Sequence, residues 1–310
     1  MNFSKRRLLA VMLLLAGIIL LGGALLGTSG PTYAQDDIEI PELDDPVLQR
    51  GQYIVRAAGA CVHCHAGNGD DGPAGQDLVD SGDVNPFTVG LAGGGMQAVG
   101  NYAFQQPYGM VASPNLTTLQ DWSDEELEIA IRYGIDPDGT VLLRPMPYIA
   151  YENMSDADME AVIAYLRTLE PIENEVPEPQ LNPGISREDT RVPHDIDLET
   201  EREGPGEDAD PVAVGEYLAT AVSACVHCHG SVDNDGDPVL PLAGETWLYD
   251  DFNSFQGPSL LSENLDFISD EAILELLDYS EPLVLMPSSV YRYMTDEDHQ
   301  AILEWLRTQP

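Results

Sequence analysis

Residues 60–65 read ACVHCH, and residues 224–229 read ACVHCH again. These two hexapeptides hold all four cysteines of a 310-residue chain. Each is a Cys-x-x-Cys-His motif: Cys61, Cys64 and His65, then Cys225, Cys228 and His229. Two thiols three positions apart reach the two vinyl groups of one porphyrin, and the next histidine is held under the iron; this is the attachment signature of c-type haem. Three other chemistries use paired cysteines. A redox dithiol needs no histidine at 65 and 229, and no second copy. A zinc site needs two pairs to converge, whereas here each pair has its own sequence neighbourhood. A disulfide between neighbours is the remaining alternative in an oxidising compartment. The reading adopted is two covalently bound haem c groups, anchored by Cys61, Cys64, Cys225 and Cys228.

Outward from the hexapeptides the chain repeats itself, as a search for internal repeats reveals. Gly51 and Tyr53 precede the first motif as Gly215 and Tyr217 precede the second. The stretch at 113–134 matches 262–280 with a few residues dropped, and 146–168 matches 286–308 without a gap. Met146/Met286, Tyr151/Tyr291, Met154/Met294, Asp156/Asp296, Asp158/Asp298 and Leu166/Leu306 are shared. The second copy has the shorter stretch between its cysteines and its Met-Pro pair. Between the copies, residues 171–211 form an acidic, Pro-rich linker without apolar periodicity. The domains are therefore read as 47–170 and 212–310.

The copies read as helical. Ser123 with Glu126 is a capping-box pattern, and Ser269, Ser155 and Thr295 begin the other helices. Met159, Val162, Ile163 and Leu166 share one helical face, as do Ile302, Leu303 and Leu306. No alternating run long enough for a strand stands out, so the remainder is read as loops.

Met146 and Met286 precede proline in matching loops and are the candidates for the second axial iron ligand, since a thioether favours ferrous iron. Met154 and Met294 also match, but they stand just before a helix cap, where an apolar residue packs as a staple. His63 and His227 are tied between cysteines and read as packing or surface residues. His194 and His299 have no counterpart in the other copy.

Composition bounds the setting. There are 54 acidic and 13 basic residues, a formal net charge of −41, and a single lysine, Lys5. Such a surface avoids nucleic acid and anionic lipid; a solvated, salt-adapted surface is the plain reading, and steering of a basic partner the functional one. Residues 1–34 carry Lys5, Arg6 and Arg7 before a long apolar run and a Thr32-x-Ala34 pattern. This supports a cleaved secretory signal and equally an uncleaved membrane anchor. Both place the rest outside the cytoplasm, on the periplasmic side.

These residues carry a family likeness. Each copy resembles a class I cytochrome c domain: Gly-x-Tyr before Cys-x-x-Cys-His, a Met-Pro loop, and a last helix ending in Tyr165-Leu166 or Trp305-Leu306. The first copy is similar to the multi-haem cytochrome c subunits of membrane-associated alcohol and gluconate dehydrogenases, sharing LAGGG, SPNLT, GIDPDGT and RPMPY. The resemblance implies an all-α fold of two tandem class I cytochrome c domains, with Gly51 against Tyr165 and Gly215 against Trp305. It implies irons held by His65 with Met146 and by His229 with Met286. It implies an electron carrier between a dehydrogenase or quinol-oxidising complex and a downstream cytochrome or oxidase. The alternative is a di-haem redox enzyme of peroxidase or thiosulfate dehydrogenase type. A peroxidase is not expected to show Met-Pro in both copies, and the thiosulfate enzymes use a spare cysteine that this chain lacks.

Overall fold

The computed structural model describes residues 38–310 apart from 70–72, 82–83, 102–105, 144–145, 188–194, 233–237, 245–246, 250–253 and 280–285. The signal or anchor reading of residues 1–34 and the linker residue His194 lie outside the described residues. Among the described residues no helix is long and apolar enough to cross a membrane.

The first half begins with α1 (Pro46–Tyr53), started by the Asp45 carboxylate on the Val47 N–H at 2.9 Å and by proline in the first turn. It runs on through a widened π turn, closed by Gly59 N–H on the Ile54 carbonyl. Then follow α2 (Cys61–His65), α3 (Gln76–Asp80), strands β1 (Met96–Asn101) and β2 (Gln106–Ala112), α4 (Asp124–Tyr133), α5 (Tyr148–Tyr151) and α6 (Asp156–Arg167). Strand β3 (Gln180–Leu181) belongs to the linker and pairs antiparallel with β2 through Gly109 and Met110.

The second half repeats the helices: α7 (Pro211–Tyr217) with the same π turn, α8 (Cys225–His229), then hairpins β4 (Ser231–Val232) with β5 (Pro238–Leu240) and β6 (Trp247–Tyr249) with β7 (Ser254–Gln256). It ends with α9 (Ser262–Leu265), α10 (Asp270–Leu277), α11 (Ser288–Tyr291) and α12 (Asp296–Leu306). The fold is mostly helical, as expected. The strands lie in stretches read as loops: β3 to β7 are only two or three residues long, and β1 and β2 contain glycine or proline and do not alternate.

In each half the first helix crosses the last. A β-carbon on Gly51 would lie 1.9 Å from the Ala161 carbonyl oxygen and 2.7 Å from Tyr165 Cβ; one on Gly215 would lie 1.9 Å from the Ala301 oxygen and 2.9 Å from Trp305 Cβ. The glycines thus let two backbones touch, against the aromatics named by the resemblance. The last helices are tied down identically. Arg167 donates to Asp124 and to the carbonyls of Leu119 and Trp122, and Arg307 to Asp270 and the carbonyls of Leu265 and Ile268.

The halves meet through reciprocal contacts at two helix caps. The α4 cap is a complete capping box, with Glu126 reaching back to the Ser123 N–H at 2.7 Å. In α6 and α12 the corresponding acid is Asp158 or Asp298, one methylene shorter. There the cap N–H is taken by a tyrosine of the other half. Tyr217 Oη accepts from Ser155 N–H at 3.0 Å and donates to Asp158 at 2.7 Å. Tyr53 Oη accepts from Thr295 N–H at 3.2 Å and donates to the Asp298 carboxylate. The caps differ in that Arg50 grips Asp158 with two bonds of 2.7 Å, and its counterpart is Val214. Phe87 against Tyr293, edge to face at 5.8 Å, and Ser289 Oγ on Asp80 at 2.6 Å complete the contact.

Gly215→Ala drives a methyl into a backbone carbonyl and is expected to lower unfolding stability in urea by ~3 kcal/mol, an overpacking cost; an unchanged urea midpoint would refute the tight crossing. Burial and the Asp158 carboxylate push the Tyr217 hydroxyl up to about 12 from its ordinary 10.0. The folded state holds this proton while the unfolded chain loses it, so the cap's contribution is complete below the ordinary value and falls as pH rises toward the folded one. Tyr217→Phe is therefore expected to lose less stability than the wild type between about pH 9 and 11, by urea unfolding at both pH values.

Candidate haem-attachment sites

Each attachment helix starts from a strained residue. Ala60 and Ala224, with φ of 49° and 52°, lie in the left-handed region without being glycine, at a cost of ~1–2 kcal/mol each. The same outlier at the same position in both halves marks a constraint on how the chain turns from the π turn into Cys61 and Cys225. In one turn of helix the cysteines of each pair lie three residues apart and share a face.

The histidines are oriented by identical partners. His65 Nδ1 lies 2.9 Å from the Pro114 carbonyl oxygen, and His229 Nδ1 lies 2.8 Å from that of Pro258. A carbonyl only accepts, so each Nδ1 carries the proton and each Nε2 keeps its lone pair. Metal-bound histidines are fixed in this way. Burial lowers the pKa of both rings and favours the neutral form that ligates iron. The Cys61, Cys225 and Cys228 thiols are pushed up to about 12, first by burial. A thiolate is disfavoured there, which weakens the dithiol and zinc readings.

The shell is duplicated too. Gly93 N–H donates to the His65 carbonyl at 3.0 Å, and Gly244 N–H to that of His229 at 2.6 Å. Tyr151 Oη donates to the Gly59 carbonyl at 2.9 Å, and Tyr291 Oη to that of Ser223 at 2.5 Å. These tyrosines were visible only as matched letters in the repeat; their role in bracing the turn before the motif was not foreseen.

In the first half Cys61, Cys64, His65 and Met146 line one cavity of about 330 Å³, within the ~300–1,000 Å³ of cofactor pockets. Val111, Leu142, Leu143 and Tyr151 make it largely apolar, so a flat apolar ring carried by thioethers fits the residues present. Met154 is buried in the core outside that wall, as is Met294 in the second half. Met286 is half-buried and packs against the common core. His63 is buried and packs at the attachment helix, and His299 Nε2 bonds the Tyr291 carbonyl at 2.9 Å as a core histidine.

The linker also lines this cavity, with Val176, Pro177, Glu178, Pro179 and Arg187. Sequence reading missed this, since a Pro-rich acidic stretch carries no signal of what it packs on. The two sites are neighbours: α5 packs against α8. Burial first, and then the sulfurs of Cys61, Cys64 and Cys228, raise the Tyr151 hydroxyl well above its ordinary range.

Residues 48–170 match the cytochrome c family model, and this part of the chain is a cytochrome c domain, whose cofactor is covalently bound haem c. The chain is 24% identical over 302 residues to the cytochrome c subunit of a quinone alcohol dehydrogenase from Gluconacetobacter polyoxogenes, covering 88% of this chain and 58% of the relative. It is 28% identical over 223 residues to the gluconate 2-dehydrogenase cytochrome c subunit of Pantoea cypripedii, covering 66% and 42%. It is 26% identical over 295 residues to the fructose dehydrogenase cytochrome subunit of Gluconobacter japonicus, covering 86% and 53%. The chain thus spans about half the length of these relatives.

A β-carbon on Gly93, whose φ is +68°, would lie 2.3 Å from the Ser113 oxygen and 2.5 Å from the Pro114 oxygen that orients His65. Gly93→Ala is expected to cost ~1–3 kcal/mol and to loosen His65. Its haem absorption should melt at a lower temperature than the wild type's; an unaltered melt would show that Pro114 does not fix the ring.

Proposed function

We propose that the chain is an extracytoplasmic di-haem electron carrier. Cys61 and Cys64 anchor one haem, with His65 and Met146 as its iron ligands. Cys225 and Cys228 anchor the other, with His229 and Met286. The observation that carries this reading is the paired histidine geometry, Nδ1 on a proline carbonyl in both halves with Nε2 left for iron.

When bound, such a haem supplies a reversible one-electron couple, its potential set by axial ligands and surroundings. The chain's own residues hold the imidazoles neutral and oriented, exclude water with an apolar wall, and brace each attachment turn with Tyr151 or Tyr291. With histidine and methionine on both irons, no position is left for substrate, so electrons pass without substrate chemistry. The neighbouring sites and the tyrosine-capped interface support transfer within the chain. The names of the relatives support a dehydrogenase as donor; a quinol-oxidising complex is the other donor compatible with this role, and a cytochrome or oxidase the acceptor. Residues 1–34 serve as export signal or anchor.

Intact mass of the mature protein is expected to show two haems. Met146→Ala and Met286→Ala should each remove part of the weak long-wavelength band of iron–sulfur ligation. The reduced wild type should bind little carbon monoxide at neutral pH. One haem per chain would overturn the di-haem reading, and ready carbon monoxide binding at one haem would favour a di-haem enzyme.

A further inference from the structure

The linker is fastened along the first half by specific bonds. Asn115 Nδ2 donates to the Ile172 carbonyl at 2.8 Å, and Ile172 N–H to Thr117 Oγ1 at 2.9 Å. Asn174 Nδ2 donates to the carbonyls of Ala92 at 2.8 Å and Gly93 at 3.1 Å, the same Gly93 that holds the His65 carbonyl. Strand β3 then pairs with β2. Beyond it Arg187 Nη1 donates to the Val141 carbonyl at 3.0 Å. This path lays Val176, Pro177 and Pro179 along the cavity of Cys61, His65 and Met146 and brings Arg187 into its wall.

Charge gives this placement a meaning. A haem carries two carboxylates, and the chain that must accept them already has a net charge of −41. The acidic members of the wall are Asp136 and Glu178; Asp136 is already bonded to the N–H groups of Asp138 and Thr140 at 3.0 and 2.7 Å. Among the described residues, Arg187 is the one arginine of the wall. Its planar fork has five donors, one of them already on Val141, and suits a carboxylate; the apolar members of the cavity wall strengthen the attraction.

We propose that Arg187 pairs with a carboxylate of the haem held at Cys61 and Cys64, making the linker a functional wall of that site which raises its reduction potential. The bonds named above all go to the first half, so the effect falls on one haem. A cation beside a haem favours the reduced form, which carries one positive charge fewer on iron. The segment that joins the halves would thereby also set them apart in potential. This rests on the di-haem reading.

The test is spectroelectrochemical titration of the full chain alongside intact mass. Arg187→Gln is expected to retain two haems and to lower one of two redox components, with the reduction equilibrium moving roughly tenfold, ~59 mV for a one-electron couple. Arg187→Lys keeps the charge without the fork and should shift that component less. Resonance Raman bands of the haem carboxylates should change in Arg187→Gln. If neither component moves, or both move equally, the proposal is wrong. Should Arg187→Gln fail to hold haem, Arg187→Lys decides: an unshifted component with unchanged carboxylate bands overturns the pairing. A wild type with a single haem would instead defeat the di-haem reading, and is seen directly in its mass.

Discussion

Two helix backbones touch in each half, and the sites depend on that contact. The carbonyl oxygen of Ala161 occupies nearly the place a β-carbon on residue 51 would take, and Ala301 stands likewise over Gly215. Close crossing places the end of the first helix, and thus the attachment motif, at a set distance from the last helix. The arginines of the last helices then hook the carbonyls before α4 and α10, so that these helices are held relative to the crossing. The loops bearing Met146 and Met286 run between helices positioned in this way.

Around that scaffold the first site is closed by parts distant in sequence. The histidine comes from residue 65, its orienting carbonyl from residue 114, and the methionine from residue 146. The far wall comes from residues 176–187. The linker wall is brought in by single side chains on backbone groups, Asn115, Thr117, Asn174 and Arg187, and such scattered contacts form no recognisable motif.

This explains what could be read beforehand. The hexapeptides carried the attachment chemistry, and the repeat carried the paired methionines and helix caps. Ser123 with Glu126 forms the capping box that its spacing implied. Met146 lines the cavity, while Met154 packs in the core beside the cap of α6. What stayed hidden depends on which surface meets which. Tyr53 and Tyr217 were legible as matched positions, but nothing local to them shows that each completes a helix in the other copy. The strands stayed hidden because five are only two or three residues long and the other two, MQAVGN and QPYGMVA, do not alternate, and the linker because proline and glutamate say how a segment extends, not where it lies.

The reciprocal tyrosine caps have the geometry of an isologous dimer interface, in which each surface meets its own copy. Two separate identical chains could use it, but then every substitution would be made twice, once on each side. With both copies in one polypeptide, a change is made once. Arg50 reinforces the Asp158 cap while valine stands at 214, so the two caps already differ. Within one polypeptide each copy can therefore change alone, and here the hexapeptides, the crossing glycines and the capping tyrosines stay alike while Arg50 and Val214 differ.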